Sequence, residues 1–330
     1  MSARLYGALG LVASLTLTAP SAYAARAANA SDAGFRAELA LRWAPIHHQQ
    51  VHRQGEHGLN GAADFITAVD FDGDDDARNN WDHAGDPRFP LSAHAYFTVV
   101  ETSSQFYLTY LFFHPRDWSS RFLETEHEND AEGVLLAISK DGSRFGALRA
   151  AVTVSHADFY SWVPSGSAWS SGQEDVDGKL RLRDYQGELH PVTQQEAETH
   201  ALKAWPAFGV EGESVVYYPS LTRAEVPRSS SDKSVHYLLH DVLEPGGLWQ
   251  RRDSPNLFSR YGFFGGNASG GCGRGALWCR RDAARTAWGW DDHDDGVAPG
   301  AMARDPAGLM RVYFTVHEAL SQRYQFNPFR

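Results

Sequence analysis

Little in this chain can cross-link it or carry it through a membrane. It has two cysteines in 330 residues. A disulfide-dense scaffold is therefore excluded, and so is a zinc site built from cysteines, which needs about four ligands. Beyond the first residues no apolar run reaches the ~20 residues that cross a bilayer as a helix. There is no basic tract: 30 Lys and Arg stand against 41 Asp and Glu, a net charge of −11. Bulk electrostatics thus disfavour nucleic acid and anionic membrane as partners. The sequence has no G-x-S-x-G, no Walker loop and no G-x-G-x-x-G, so the common nucleophile elbow and phosphate cradles are missing. Coiled coil, collagen and membrane bundle are excluded by composition.

What is present is a globular composition, 42% hydrophobic and 12% aromatic. The chain is long enough to bury a sizeable core. Its first segment reads as a signal peptide: Arg4, an apolar run from Leu5 to Leu17, then Ala22-Tyr23-Ala24 before a cleavage point at Ala25. Residues 1–24 are expected to be removed. Residues 25–330 are expected to form one secreted or periplasmic domain with no transmembrane segment. Cys272 and Cys279 enclose a short Gly-rich ring. In an oxidising compartment the simplest reading is a disulfide, contributing about 2.5 kcal/mol by chain entropy.

The dominant pattern is short strands and frequent turns. A helix is expected over Ser31–Leu41, capped by Ser31 and ended by Pro45. A short strand is expected over Phe65–Phe71, and others over Ala95–Glu101, Val134–Ser139 and Phe145–Ser155. Phe106–Phe113 is apolar on both alternating faces, which marks a central strand covered on both sides. Lys140-Asp141-Gly142-Ser143 is a hairpin signal. Further strands are expected at Leu180–Arg183, His200–Trp205, Val215–Tyr218 and Val235–Val242. Asp305-Pro306 opens a second helix. The fold class expected is mainly β, an antiparallel β-sandwich with peripheral helices and long loops. Phe258–Pro299, rich in Gly, Trp and Asp, reads as a loop layer on that domain, pinned by the disulfide.

The sharpest chemistry lies between Asp117 and Glu132. The segment Glu126-His127-Glu128-Asn129-Asp130-Ala131-Glu132 follows one strong strand signal and precedes another, so it reads as a loop at a sheet edge. Asp130 and Glu132 then share a face. His127 reaches the same spot from the preceding turn, and Asp117 faces them from the first strand. Three carboxylates and an imidazole suit a hard divalent cation: Mg²⁺, Ca²⁺ or Mn²⁺. The alternatives are a solvated acidic loop, or a histidine–carboxylate acid/base pair.

These residues resemble the necrosis-inducing (Nep-like) cytolysins, whose hallmark is Gly-His-Arg-His-Asp-Trp-Glu, and the related vacuolar-sorting-like family. Both share the frame H-x-x-D-x-E, filled here by His127, Asp130 and Glu132. Three further stretches are similar: Tyr110 to Asp117, Val154 to Tyr160, and Thr199-His200-Ala201-Leu202-Lys203-Ala204. The resemblance spans about Phe106 to Trp205. It implies a β-sandwich with a divalent cation in a surface cavity, held by Asp117, His127, Asp130 and Glu132, with His156 and His200 bordering it. The departures from the hallmark include Glu126, Asn129 and Ala131. The metal frame survives these changes better than the toxin signature does.

Other clusters read both ways. Asp70–Asp76 carries alternating carboxylates but lacks the EF-hand Gly and Glu, and reads as a calcium loop or a solvated turn. Asp291–Gly296 follows Trp288 and Trp290. Aromatics beside carboxylates can form a sugar-binding surface, or the tryptophans simply pack. His47, His48, His52 and His57 form a histidine-rich run whose flanking Pro45 and Gly55 favour a loop. His156 and His200 are structural residues or ligand contacts. The function expected is a secreted, divalent-metal-binding protein, cytolysin-like in ancestry. It would recognise a polar ligand, a glycan or glycolipid head group, with His156, His200 and Trp118 on the ligand side. The alternative is a metal-dependent extracellular hydrolase of an ester, phosphodiester or glycoside.

Overall fold

A computed structural model describes residues 29–121, 124–207, 212–266 and 279–330. The expected signal peptide, Cys272 and most of the Gly-rich ring lie outside them, and with Cys272 the expected disulfide does too.

Helix α1 (Ala33–Trp43) is capped by Asp32, whose carboxylate accepts the Phe35 N–H. Ser31 is the cap the sequence suggests; the cap is one residue later, at Asp32, a residue type that caps about as well. Strand β1 (Ile46–Val51) follows. After a long irregular stretch come β2 (His94–Thr102), β3 (Gln105–Asp117), β4 (Glu126–Ser139), β5 (Ala147–Ser155) and β6 (Asp158–Pro164). Short strands β7 (Ser170–Ser171), β8 (Gly178–Leu180) and β9 (Leu182–Tyr185) lead to β10 (Glu188–Gln195), β11 (Leu202–Ala204), β12 (Glu213–Ser220) and β13 (Val235–Asp241).

The expected antiparallel sandwich is corrected to a single curled, mixed sheet. Its order is β11-β10-β1-β12-β13-β2-β3-β4-β5-β6-β8. β2 to β6 form an antiparallel meander. β1–β10, β12–β13, β13–β2 and β6–β8 are parallel. The terminal strand β11 lies against β5 and β8, so the sheet nearly closes into a barrel. Strand signals do not reveal pairing partners. The long connections before β2 and after β6 supply the crossovers that parallel neighbours require.

The meander follows from alternation. Phe106, Leu108, Tyr110 and Phe112 point into the curl, where they meet Phe97, Leu136, Tyr217, Tyr237 and the apolar face of α1. Tyr110 and Tyr237 donate their hydroxyls to the carbonyls of Ala40 and Pro45, which plugs the barrel with the helix. Tyr107, Leu111 and Phe113 point outward into a second core. That core is built with the C-terminal third: Leu257, Phe264, Trp288, Trp290 and helix residues Leu309 and Met310. β3 is thus covered on both faces, as its composition predicts, and Phe258, Phe264, Ala284, Trp288, Trp290 and Val297 pack over the sheet within that second core. The hairpin turn Asp141-Gly142 is as expected, with Gly142 at φ 93° and Asp141 accepting the Ser143 N–H. Phe65–Phe71 is not a strand. It makes single bonds from Thr67 to the Phe113 carbonyl and from Val69 to the Tyr96 hydroxyl. The helix Pro306–Tyr313 carries its proline in the first turn.

Candidate metal centre

β4 begins at Glu126, so the acidic–histidine segment is strand and not loop. It extends beyond the end of β5, against β3 on one side and a two-residue strand, Cys279–Arg280, on the other. Register places Asp117 directly opposite His127.

Strict alternation would send Glu126, Glu128, Asp130 and Glu132 to one face and His127 to the other. Asn129 breaks it. Its backbone is left-handed, φ 61°, a region that asparagine tolerates better than other non-glycine residues. Its amide holds the kink: Nδ2 donates to the Ala77 and Gly265 carbonyls and Oδ1 accepts from Asn80 Nδ2, all at 2.7 Å. Before the kink, Glu126 accepts the Ser119 N–H and faces His57, while Glu128 accepts the Trp81 N–H. After it, Asp130 and Glu132 join His127 on the opposite side. There they line a cavity of about 470 Å³ together with Asp117, His156 and Arg280.

One ligand atom each from Asp117, His127 and Asp130 lies within 4.8 Å of the others. His127 Nε2 is 3.0 Å from Asp117 Oδ2, and its Nδ1 is 2.6 Å from the Asn129 carbonyl. A histidine that gives one N–H to a carbonyl and aims the other nitrogen at carboxylates has the orientation of a metal ligand. Burial works to lower the His127 pKa, but Asp117 and Asp130 outweigh it and raise the value to about 9. Glu132 is buried. Its Oε1 accepts the His156 N–H at 2.5 Å, and Oε2 has no partner among the described residues. Burial, and then the neighbouring Asp130 charge, push its carboxyl well above the usual range. Glu132, expected as a fourth ligand, stands outside the group of three but lines the same cavity; the three converging donors fit a cation.

The ligand-side residues divide. His156 lines the cavity, half-exposed, with Nδ1 3.4 Å from Glu132; its φ of 61° sits in a two-residue hairpin turn. His200 is fully buried. Its Nδ1 lies 3.1 Å from Asp130 and its Nε2 3.3 Å from Asp64, and its ring stacks on His114 at 3.7 Å. Burial favours the neutral ring, yet the two carboxylates hold its pKa up at about 9. His200 is therefore a support for Asp130. Trp118, expected at a ligand surface, is also fully buried. It packs so closely over Gly55 and Gly58 that a Cβ at Gly58 would sit 2.5 Å from the indole, and it donates Nε1–H to Asp64 at 2.8 Å. A continuous chain results: Trp118, Asp64, His200, Asp130. Asp64 is the member that sequence reading missed, since nothing marks a lone aspartate at the end of a 3-10 turn.

The remaining wall is basic and aromatic. Arg280, Arg285 and His293 line it. Trp290 lines the cavity and Trp288 does not; both are buried, and Trp290 donates its Nε1–H to the Ala131 carbonyl. Of the histidine-rich run, His47 and His48 lie on β1, where burial lowers their pKa to about 3 and about 4. No helix among the described residues is long and apolar enough to cross a membrane.

No known protein family and no curated protein matches the chain. Solved structures do show a likeness. Necrosis and Ethylene inducing Protein 2, from the causal agent of cocoa's Witches Broom disease, is 15% identical over 53% of this chain and 70% of that one, with a TM-score of 0.28. A structure described as a toxin fold for microbial attack and plant defense is 15% identical over 56% and 74%, TM-score 0.29. NLPPya in complex with glucosamine is 14% identical over 56% and 73%, TM-score 0.29. TM-scores this low do not establish a common fold.

Proposed function

We propose that this is a secreted protein that holds one divalent cation at Asp117, His127 and Asp130, with Glu132 beside them, and binds a polar ligand through it. The observation that carries the reading is the convergence of three ligand atoms on the floor of a 470 Å³ cavity, next to a buried carboxylate oxygen with no partner among the described residues. Mixed oxygen and imidazole donors suit Mg²⁺, Mn²⁺ or Ca²⁺.

When bound, such a cation offers coordination positions to hydroxyl oxygens, which favours a glycan or glycolipid head group as ligand. The chain's own residues do the rest. His200 fixes Asp130, the Asn129 carbonyl fixes the His127 ring, and Arg280 and Arg285 line the wall with cationic hydrogen-bond donors. A ligand with both hydroxyl and anionic groups matches a floor and wall of opposite sign.

His156 supports a second reading, a metal-dependent hydrolase. It is a half-exposed imidazole lining the cavity, a residue type that can serve as a general base. Glu128, another candidate base from the sequence, is directed at the Trp81 N–H and does not line the cavity.

The test is thermal melting of the secreted chain with chelator, then with Mg²⁺, Mn²⁺ or Ca²⁺ restored, beside Asp130→Asn. A ligand of the folded state raises the melting temperature. One ion should restore wild type but not the variant, and sugar binding should follow the same ion. If wild type melts identically with chelator and with every ion, the metal reading fails. Metal-dependent turnover of chromogenic ester, phosphodiester or glycoside substrates, lost in His156→Ala, would favour the hydrolase.

A further inference from the structure

The loop after Trp290 holds a second acidic cluster, distinct from the four residues of the cavity floor. Asp158, the first residue of β6, meets Asp292 and Asp294. One carboxylate oxygen from each lies within 4.8 Å of the others. Asp295 adjoins them, because the Tyr313 hydroxyl donates to both Asp292 and Asp295.

Acidic loops on an acidic protein are common, and proximity alone would mean little. Asp292 sets this one apart. It is 3% exposed, and its Oδ1 has no hydrogen-bond partner among the described residues. Among the described residues no basic side chain pairs with Asp158, Asp292 or Asp294; the ion pair seen in this loop joins His293 to Asp291. A buried carboxylate oxygen without a donor costs about 1–3 kcal/mol or more unless something satisfies it. In keeping with this, burial pushes the Asp292 carboxyl up to about 7, and Asp295 raises that of the nearby Glu174.

We propose that Asp158, Asp292 and Asp294, with Asp295 and Glu174 at the rim, bind a calcium ion. The donors are all oxygen, which excludes the nitrogen- and sulfur-seeking metals. Several carboxylates on a loop and a hairpin suit the high coordination number and flexible geometry of Ca²⁺. Mg²⁺ keeps its waters and demands a stricter octahedron.

The ion has a structural consequence. Asp158 belongs to the β5–β6 hairpin that presents His156, and the His293 N–H bonds the Ala157 carbonyl at 3.0 Å. His156 and His293 both line the first cavity. Calcium between hairpin and loop therefore fastens two walls of that cavity together.

The test counts calcium bound to the full chain by equilibrium dialysis up to about 1 mM, where extracellular modules saturate. Asp294→Asn and Asp158→Asn change exposed residues and should leave the fold intact. Each should bind one ion fewer per chain than wild type. Each should also lose the terbium emission sensitised by Tyr313, which touches the site. Asp117→Asn should keep the terbium emission sensitised by Tyr313, and should lose a calcium only if the cavity also takes that ion. A full calcium count and unchanged terbium emission in the Asp294 and Asp158 variants would overturn the proposal. The two sites fail separately: loss in Asp117→Asn alone supports only the cavity, and loss in the Asp294 and Asp158 variants alone supports only this cluster.

Discussion

Replacing Asn129 tests whether one left-handed residue assembles the metal centre. The amide makes three buried hydrogen bonds of 2.7 Å. Asn129→Ala removes all three and leaves the Ala77 and Gly265 carbonyls and the Asn80 amide to find other partners. Each such loss costs about 1–3 kcal/mol, tempered because carbonyls keep a second lone pair. Alanine at φ 61° adds roughly 1–2 kcal/mol of backbone strain. Even at the lower end of each contribution the sum is about 4 kcal/mol, a large share of the ~5–15 kcal/mol by which a domain is stable. Asn129→Gly loses the same bonds but not the strain, and should be more stable than the alanine variant by about 1 kcal/mol. Urea denaturation with chelator present reads the difference as a shift in midpoint at constant slope. The functional readout is the cation-induced rise in melting temperature. Glycine should keep part of it. Alanine, whose backbone gains by relaxing to extended, should lose it, because the relaxation returns His127 and Asp130 to opposite faces. Equal stability of the two variants, with the full cation response in both, would refute the claim that Asn129 sets the phase of β4.

Two further outcomes follow from the charges. Glu132→Gln keeps the size of a buried carboxyl already raised well above its usual range, so with chelator it should melt within a few degrees of wild type, while cation affinity falls at least tenfold; an unchanged calcium, magnesium and manganese titration would remove Glu132 from the site. His200 sits at about 9 in the folded chain against ~6.5 unfolded, so its imidazolium contributes fully below pH 6.5 and that contribution disappears as pH rises through 9. The effect is of order 3 kcal/mol, and His127 in the chelated protein has the same sign. Melting curves from pH 6 to 10 should fall with pH in wild type and less steeply in His200→Gln; parallel curves would contradict the Asp130–His200–Asp64 arrangement.

The readable part of this molecule was what composition and alternation control. Phe106–Phe113 announced a strand buried on both faces, and the structure places a core on each side of it. Asp141-Gly142 announced its hairpin. The frame of His127, Asp130 and Glu132 announced a cluster, and Asp117 was near enough in register to join it. Sheet order was not readable, because parallel pairs such as β13–β2 join segments far apart in sequence and leave no local mark. Trp118 was misread for a related reason. Tryptophan near a site suggests a stacking surface, but its burial depends on Gly55 and Gly58 closing over it from another segment.

Backbone strain leaves no mark in the sequence. Asn129, His156, Glu198 and His200 all have positive φ; Asn129 precedes Asp130, His156 meets Glu132, His200 meets Asp130, and Glu198 meets Asp64, which His200 also contacts. Such residues persist only where their surroundings over-determine them. Each has its clamp. Asn129 has three amide bonds, and the His156 N–H is taken by Glu132. The Glu198 N–H goes to Asp64, and the His200 carbonyl accepts from Gln195 while its ring lies between Asp130 and Asp64. Asp64 recurs because one buried carboxylate receives Trp118, Glu198 and His200 together with the His52 N–H. A site that spent this much conformational strain only to orient solvated acids would have no reason to survive relaxation. The strain is accounted for if the oriented carboxylates are satisfied by a cation, and that is why Asp64→Asn, which touches no ligand of the cation, should weaken cation binding measurably by calorimetry; a full-strength titration in that variant would show the support chain to be structural only.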